Sequence, residues 1–301
     1  RDRARTLKLE LARAFTSHRK QTLSMPRLIN MRPNRSLALS LTALPFIALL
    51  LTYQSASSVR LAENPQDRLL PAFSTMGDAM VRMAFTEDVR SGDYLFWTDT
   101  LTSLERLALG VGTGAFFGLV IGLLAGLLPL MRSVLSPSLA ALAMVPPLAL
   151  LPILFITLGL DELSKVVLIA IGVGPFIARD LEARIHEMPV EELIKAQTLG
   201  AGTWLTLWRV VLPQMLPRVL DAMRLSLGAA WLFLIAAEAI ASTEGLGYRI
   251  FLVRRYLAMD IILPYVAWIT LLAWLTDYAL RRINLMVFPW YAAQLDSEAK
   301  S

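Results

Sequence analysis

Three stretches of the chain run without a charged residue for long enough to approach or exceed a bilayer crossing: 36–53, 107–131 and 133–160. A helix needs about 20 predominantly apolar residues to cross the hydrocarbon core. Three shorter runs follow, at 166–178, 225–237 and 261–276, bounded by Lys165 and Arg179, Arg224 and Glu238, and Asp260 and Asp277. They are short for a span. Their flanking ionic groups are expected to snorkel to the interfaces or face a bundle interior. The pattern therefore predicts an all-α, polytopic membrane helical bundle of about six transmembrane helices. Between the first two spans, 73–85 alternates at helical spacing through Met76, Met80 and Met83. It reads equally as a helix lying on the outer membrane face or one packed on the bundle.

Composition supports a membrane protein. Of 301 residues, 56% are apolar and 18% charged, against roughly 45–50% and about 25% in soluble domains. There is no Cys, which excludes a disulfide framework and thiolate zinc. Two His residues, His18 and His186, argue against a His-rich metal site. The basic excess gathers in the first 35 residues, where Arg1 to Arg35 face only Asp2 and Glu10. A basic flank before a first span holds the N-terminus in the cytoplasm, a stronger reading than a nucleic-acid arm. Met25 and Met31 are alternative starts, and 1–35 reads as a basic, disordered cytoplasmic tail. The expected organisation is then a first transmembrane helix at 36–56, a periplasmic segment at 57–100, a core transmembrane domain at 101–287 and a cytoplasmic tail at 288–301. The loop at 183–220 and the C-terminus fall in the cytoplasm.

Gly110, Gly114, Gly118, Gly122 and Gly126 recur every four residues in the second span. Such a face lets a neighbouring backbone approach closely, for static packing or for an interface that slides. Pro146, Pro147 and Pro152 are expected to kink the third span. No G-x-x-x-x-G-K-[ST] is present, and His186-Glu187 is not followed by the second His of a zinc protease. Glu238 and Asp277 sit at the ends of short spans, where ion pairing is the expected role rather than proton relay. No catalytic centre is expected. A membrane scaffold that recruits a partner and moves nothing is the competing class.

The most informative segment is the loop at 191–213. Glu191 and Glu192 open a short helix, where negative charge suits the dipole. Gly200 is placed to end it. Thr203 is placed to cap a second, amphipathic helix through Trp204, Leu207, Trp208, Val211 and Leu212, ending near Pro213. Two short helices with Ala196, Gly200 and Ala201 at the corner make a compact knob, for docking or for packing under its own bundle.

This pattern resembles the EAA loop of ABC-importer permeases, in which E-A-A, three residues, Gly and nine residues precede I-x-L-P. Here Gly200 is followed by nine residues and then Val210-Val211-Leu212-Pro213, whereas Ile194-Lys195 stand in place of Glu-Ala before Ala196. Gly159-Leu160-Asp161-Glu162-Leu163-Ser164-Lys165 and Gly245-Leu246-Gly247-Tyr248 resemble the nitrate, sulfonate, taurine and bicarbonate branch. The likeness runs over about 100–282. It implies a permease of the inner membrane, with both termini cytoplasmic, forming the pathway for a small solute. A small anion (nitrate, a sulfonate such as taurine, or bicarbonate) is the first expectation, and a pyrimidine vitamin precursor the alternative. The implied partners are a second permease copy, an ATP-binding subunit and a periplasmic or lipid-anchored binding protein. ATP and magnesium are implied on the ATPase, with no cofactor on this chain. The implied ATPase-coupling residues are Glu191, Glu192, Lys195, Ala196, Gly200, Ala201, Leu212 and Pro213. Arg249, Arg254 and Arg255 fall on the outer side, where they steer an anion or meet the binding protein or lipid headgroups.

Overall fold

The computed structural model describes residues 34–65, 67–89 and 92–298. The basic arm, with His18, Met25 and Met31, lies outside the described residues. The chain divides into two compact units, Arg1–Ala56 and Ser57–Ser301. Helix α1 (Arg35–Glu63) begins where the Asn34 side chain accepts the Leu37 N–H, satisfying one of the orphan donors of the first turn. Side chains such as Leu39, Phe46 and Leu49 are exposed, an apolar surface that a bilayer solvates and water does not.

In the second unit, α2 (Phe73–Phe85) lays Met76 and Ala79 inward, with Met80 and Met83 against the core. Of its two expected placements, the structure shows the packed one. Helix α3 (Leu95–Leu127) starts well before the uncharged run at 107, because Asp99, Ser103 and Arg106 are carried inside it and are buried. It stops short of 131 because Pro129 opens the next helix and holds Leu128 extended, at φ −104° and ψ 109°.

The expected single third span is a broken one. Helix α4 (Pro129–Leu142) is followed by a 3-10 turn, Pro147–Leu150, and α5 (Leu151–Leu158), and the two halves meet at 83°. Consecutive prolines explain the sharpness: Pro147 forces Pro146 out of the helical region, to ψ 118°. Helix α6 (Glu162–His186) then runs further than its apolar core, so His186 ends a helix rather than sitting in a loop. Arg184 and His186 occupy its last turn, where positive charge suits the dipole.

After α7 (Val190–Thr198) the chain is helical from Thr203 to Ala241. It begins as α8 (Thr203–Thr206), passes a π-helical stretch at Leu207–Val211 and continues as α9 (Leu212–Ala241). Pro213 therefore lies in the first turn of a long helix and does not end a short one. Helix α10 (Leu246–Val253) and a 3-10 turn (Arg254–Tyr256) precede α11 (Met259–Val287) and α12 (Pro289–Glu298). The expected C-terminal tail thus contains a helix, with Tyr291 buried.

Five of the six glycines of α3, those repeating every four residues, form a close packing surface. A Cβ on Gly110 would lie 2.6 Å from Ile169, on Gly114 2.6 Å from Val173, and on Gly118 2.9 Å from Ile177. On Gly122 it would lie 2.8 Å from the Ala178 carbonyl, and on Gly126 2.6 Å from Ile185. Both series rise together, so α3 and α6 run parallel, with the Ile169–Val173–Ile177–Leu181–Ile185 ridge filling the glycine groove. The core continues from that ridge through Leu234, Leu246 and Tyr265. Among the described residues, four helices are long and apolar enough to cross a membrane, or five if the broken pair counts as one span. The six expected spans are not all met by that test. Helix α6 is the difference, because Lys165 and Arg179 bound its apolar stretch.

Candidate functional site

The knob at 187–213 is built by local rules. Pro189 precedes the first turn of α7, where Glu191 and Glu192 sit. The helix ends in a Schellman motif: the Ala201 N–H donates to the Ala196 carbonyl and the Gly200 N–H to the Gln197 carbonyl. Gly200 takes φ +83°, a left-handed conformation that a Cβ disfavours. Ala196, Gly200 and Ala201 are therefore the three positions that close the corner. Gly202, not Thr203, occupies the cap position of the second helix, with no side-chain cap. The Glu192 carboxylate accepts from the Gln214 side chain at 2.8 Å, tying α7 to the start of α9. Glu191 and Lys195 are exposed, whereas Leu212 and Pro213 are half-buried.

Of the expected amphipathic face, Leu207 and Val211 are buried but Trp204 and Trp208 are not. Ile194, Leu199, Trp204, Leu205 and Trp208 leave an exposed apolar patch on the knob, Leu199 at 88% exposure. Such a patch on an ordered surface marks a contact site.

A second constellation lies at the other end of α6, about 37 Å away at 1.5 Å per residue. Asp99, Ser103 and Arg106 share one face of α3, spaced four and three residues apart. Three successive N–H groups of the turn before and into α10 are captured: Gly245 by Asp99, Leu246 by Ser103 and Gly247 by Glu238. Arg106 donates to Glu238 at 2.8 Å, to Glu162 and to the Glu244 carbonyl. Arg249 pairs with Asp99 at 2.7 Å, and Tyr265 donates to the same carboxylate. Asp99 and Glu238 are fully buried, and every lone-pair direction in use is filled by a donor, which is what makes burial of the charge tolerable. A Cβ on Gly245, at φ +119°, would fall 2.5 Å from the Glu238 carboxyl. The cluster fastens α3, α6, α9, α10 and α11 together.

A third network lies near the knob. Tyr291 of α12 donates to Asp221 at 2.6 Å and accepts from Arg218. Burial and the Asp221 carboxylate push the Tyr291 hydroxyl up to about 12. Asn284 donates to Asp221 and to the Pro217 carbonyl. Arg224 forms a two-point pair with Asp277. Glu238 and Asp277 are both ion-paired, but Asp277 lies inside α11, which continues to Val287.

The periodic reading of apolar runs missed Asp99, Ser103, Arg106, Asp221 and Tyr291. The four- and three-residue spacing on α3 was the available signal for the first three. A cavity of about 1240 Å³ lies between α3, α4 with the 3-10 turn that follows it, and α6, with Phe233 of α9 also on its wall. Among the described residues, no group of three or more His, Asp or Glu is arranged to hold a metal ion.

Residues 118–291 match the family described as the binding-protein-dependent transport system inner membrane component. The taurine transport system permease protein TauC of Escherichia coli (strain K12) is 35% identical over 66% of this chain and 72% of its own length. The putative aliphatic sulfonates transport permease protein SsuC of Bacillus subtilis (strain 168) is 33% identical over 69% and 75%. The bicarbonate transport system permease protein CmpB of Synechococcus elongatus is 32% identical over 63% and 71%. Among solved structures, an inward-facing form of the MetNI methionine ABC transporter aligns with a TM-score of 0.57. At 21% identity it covers 66% of this chain and 99% of its own, a likeness of fold.

Proposed function

The chain belongs to the binding-protein-dependent transport inner-membrane family, and from that premise we propose that it forms the membrane pathway of an ATP-driven importer for a small anion. It is a multi-pass inner-membrane protein and a transport-pathway subunit of the ABC permease class. The relatives named for taurine, aliphatic sulfonates and bicarbonate support the anion. In this reading the knob faces the cytoplasm with both termini, and the buried ionic cluster lies at the periplasmic end. Two copies of the chain flank the pathway. An ATP-binding subunit, carrying ATP and magnesium, grips each knob, and a binding protein delivers solute from the other side.

The observation that carries the reading is the knob. Its corner is fixed by backbone hydrogen bonds and its apolar patch is left open. The α3–α6 ridge and the ionic cluster make the core stiff, so force applied at the knob moves whole helices rather than bending one. That is the requirement for rigid-body alternating access. Glu191, Glu192, Lys195, Ala196, Gly200, Ala201, Leu212 and Pro213 remain the proposed coupling residues. Of these, the Ala196–Gly200–Ala201 corner and the Glu192–Gln214 bond shape the knob.

Reconstitution tests it. Proteoliposomes holding the chain with the ATPase and binding protein of its own operon should accumulate labelled taurine or ethanesulfonate, or bicarbonate, only with ATP inside and binding protein outside. Accumulation that ignores ATP, or none of any small anion beside uptake of a neutral solute, would overturn the proposal.

A further inference from the structure

The charged side chains at the knob end of α6 are matched, with one exception. Asp180 faces Arg184 at 3.7 Å. Glu182 accepts from Ser136 and lies 3.6 Å from Arg132. Arg184 also reaches Glu187 at 3.1 Å. Among the described residues, Arg179 forms neither an ion pair nor a hydrogen bond. It lies seven residues before the end of α6, about 10 Å inside it. The Arg179 side chain is exposed at the charged edge of the helix's apolar stretch, where its long stem carries the guanidinium to a polar boundary and leaves it open to a ligand.

Arg179 also lines the large cavity, with Asp180 beside it, already facing Arg184. Along α6 the cavity extends from Leu163 past Val167 and Gly174 to Arg179, about 24 Å at the helical rise. Phe117 of α3, Leu142 of α4 and Pro147 of the 3-10 turn close its other sides. Gly114 and Gly118 of α3 and Pro147 at the break between α4 and α5 are on its wall. The lining is mostly apolar, and the exposed Arg179 guanidinium stands at one end of it.

We propose that Arg179 is the anion-recognising residue of this cavity: its guanidinium pairs with the sulfonate or carboxylate oxygens of a small anion while the apolar walls hold the rest of the solute. This rests on the small-anion importer reading and adds a position to it. A guanidinium suits the task because its planar fork offers parallel N–H donors to two oxygens and never loses its charge. The apolar walls fit the organic part of an alkyl sulfonate. Passage needs a hold by one residue, firm enough to admit the anion and loose enough to release it.

The absence of cysteine permits a direct test on the full chain in nanodiscs. Phe176→Cys, one turn from Arg179 and on the cavity wall, gives a single thiol. It should react about tenfold faster with an anionic than with a cationic methanethiosulfonate reagent, and Arg179→Gln should abolish that preference. In the reconstituted complex, Arg179→Gln should slow ethanesulfonate uptake at least tenfold, with Arg179→Lys intermediate. An unchanged reagent preference in Arg179→Gln, or wild-type ethanesulfonate uptake by it, overturns the inference. If the wild-type complex moves no anion while the thiol preference still depends on Arg179, the cavity assignment stands and the importer's substrate class falls.

Discussion

At the scale of single residues, the ionic cluster shows why local pattern has limits. Asp99, Ser103 and Arg106 interrupt an apolar helix, and a charge in an apolar run reads as its boundary. Their partners, Glu162, Glu238, Arg249 and the Gly245 and Leu246 N–H groups, lie 56 to 150 residues away, so no window along the chain reveals that the charges cancel. Gly200 is the opposite case: its role depends on four neighbours along the chain, and the local sequence alone makes it legible. The cluster also makes a sharp prediction. Arg249→Met removes one member and leaves Asp99 buried beside Tyr265 and the Gly245 N–H alone. It should cost about 3–5 kcal/mol, as breaking a buried pair does, read as a lower thermal midpoint in detergent. Replacing Arg254, whose side chain only overlies Phe251, should leave the midpoint where it was. Equal midpoints for the two variants would show that the cluster does not hold the fold.

At the scale of elements, the spans with long uncharged runs were legible, but their ends were not. Helix α3 begins twelve residues earlier than its uncharged run, and α9 is joined to the knob through a π-helical stretch. Both extensions are stabilised by tertiary partners rather than by hydrophobic periodicity. The Pro146–Pro147 pair announced a kink, but the size of the turn follows from Pro146 being held extended between two helices. The glycine repeat announced close packing, and the partner ridge at Ile169–Ile185 supplies its register. That register predicts opposite outcomes for neighbouring glycines. Gly122→Ala places a methyl 2.8 Å from the Ala178 carbonyl, and a backbone atom gives way poorly. It should destabilise by about 3 kcal/mol. Gly112→Ala meets nothing within 4 Å and should be neutral or stabilising by up to about 1 kcal/mol. Thermal unfolding of the two purified variants separates them; the same loss in both would mean that α3 does not pack on α6 through this face.

At the scale of the whole molecule, three features occupy different places: an apolar knob beyond one end of α6, a satisfied ionic clamp at the other, and an apolar cavity along α3 and α6 between them. Within the second unit, a stiff core with a knob at one end fits a protein driven by a partner. The family likeness names the partner class. The knob's spacing was readable from Gly200 to Pro213, but its contact surface was not, because Trp204 and Trp208 follow an amphipathic pattern and yet face outward. Docking through the knob is tested by retention of the cognate ATPase on the detergent-solubilised chain, comparing wild type with Leu199→Asp. Leu199 is 88% exposed, so the charge should leave the helices folded while spoiling the apolar contact. Wild type should retain the ATPase, and the variant should lose it by at least tenfold. Equal retention by both would contradict docking through the knob.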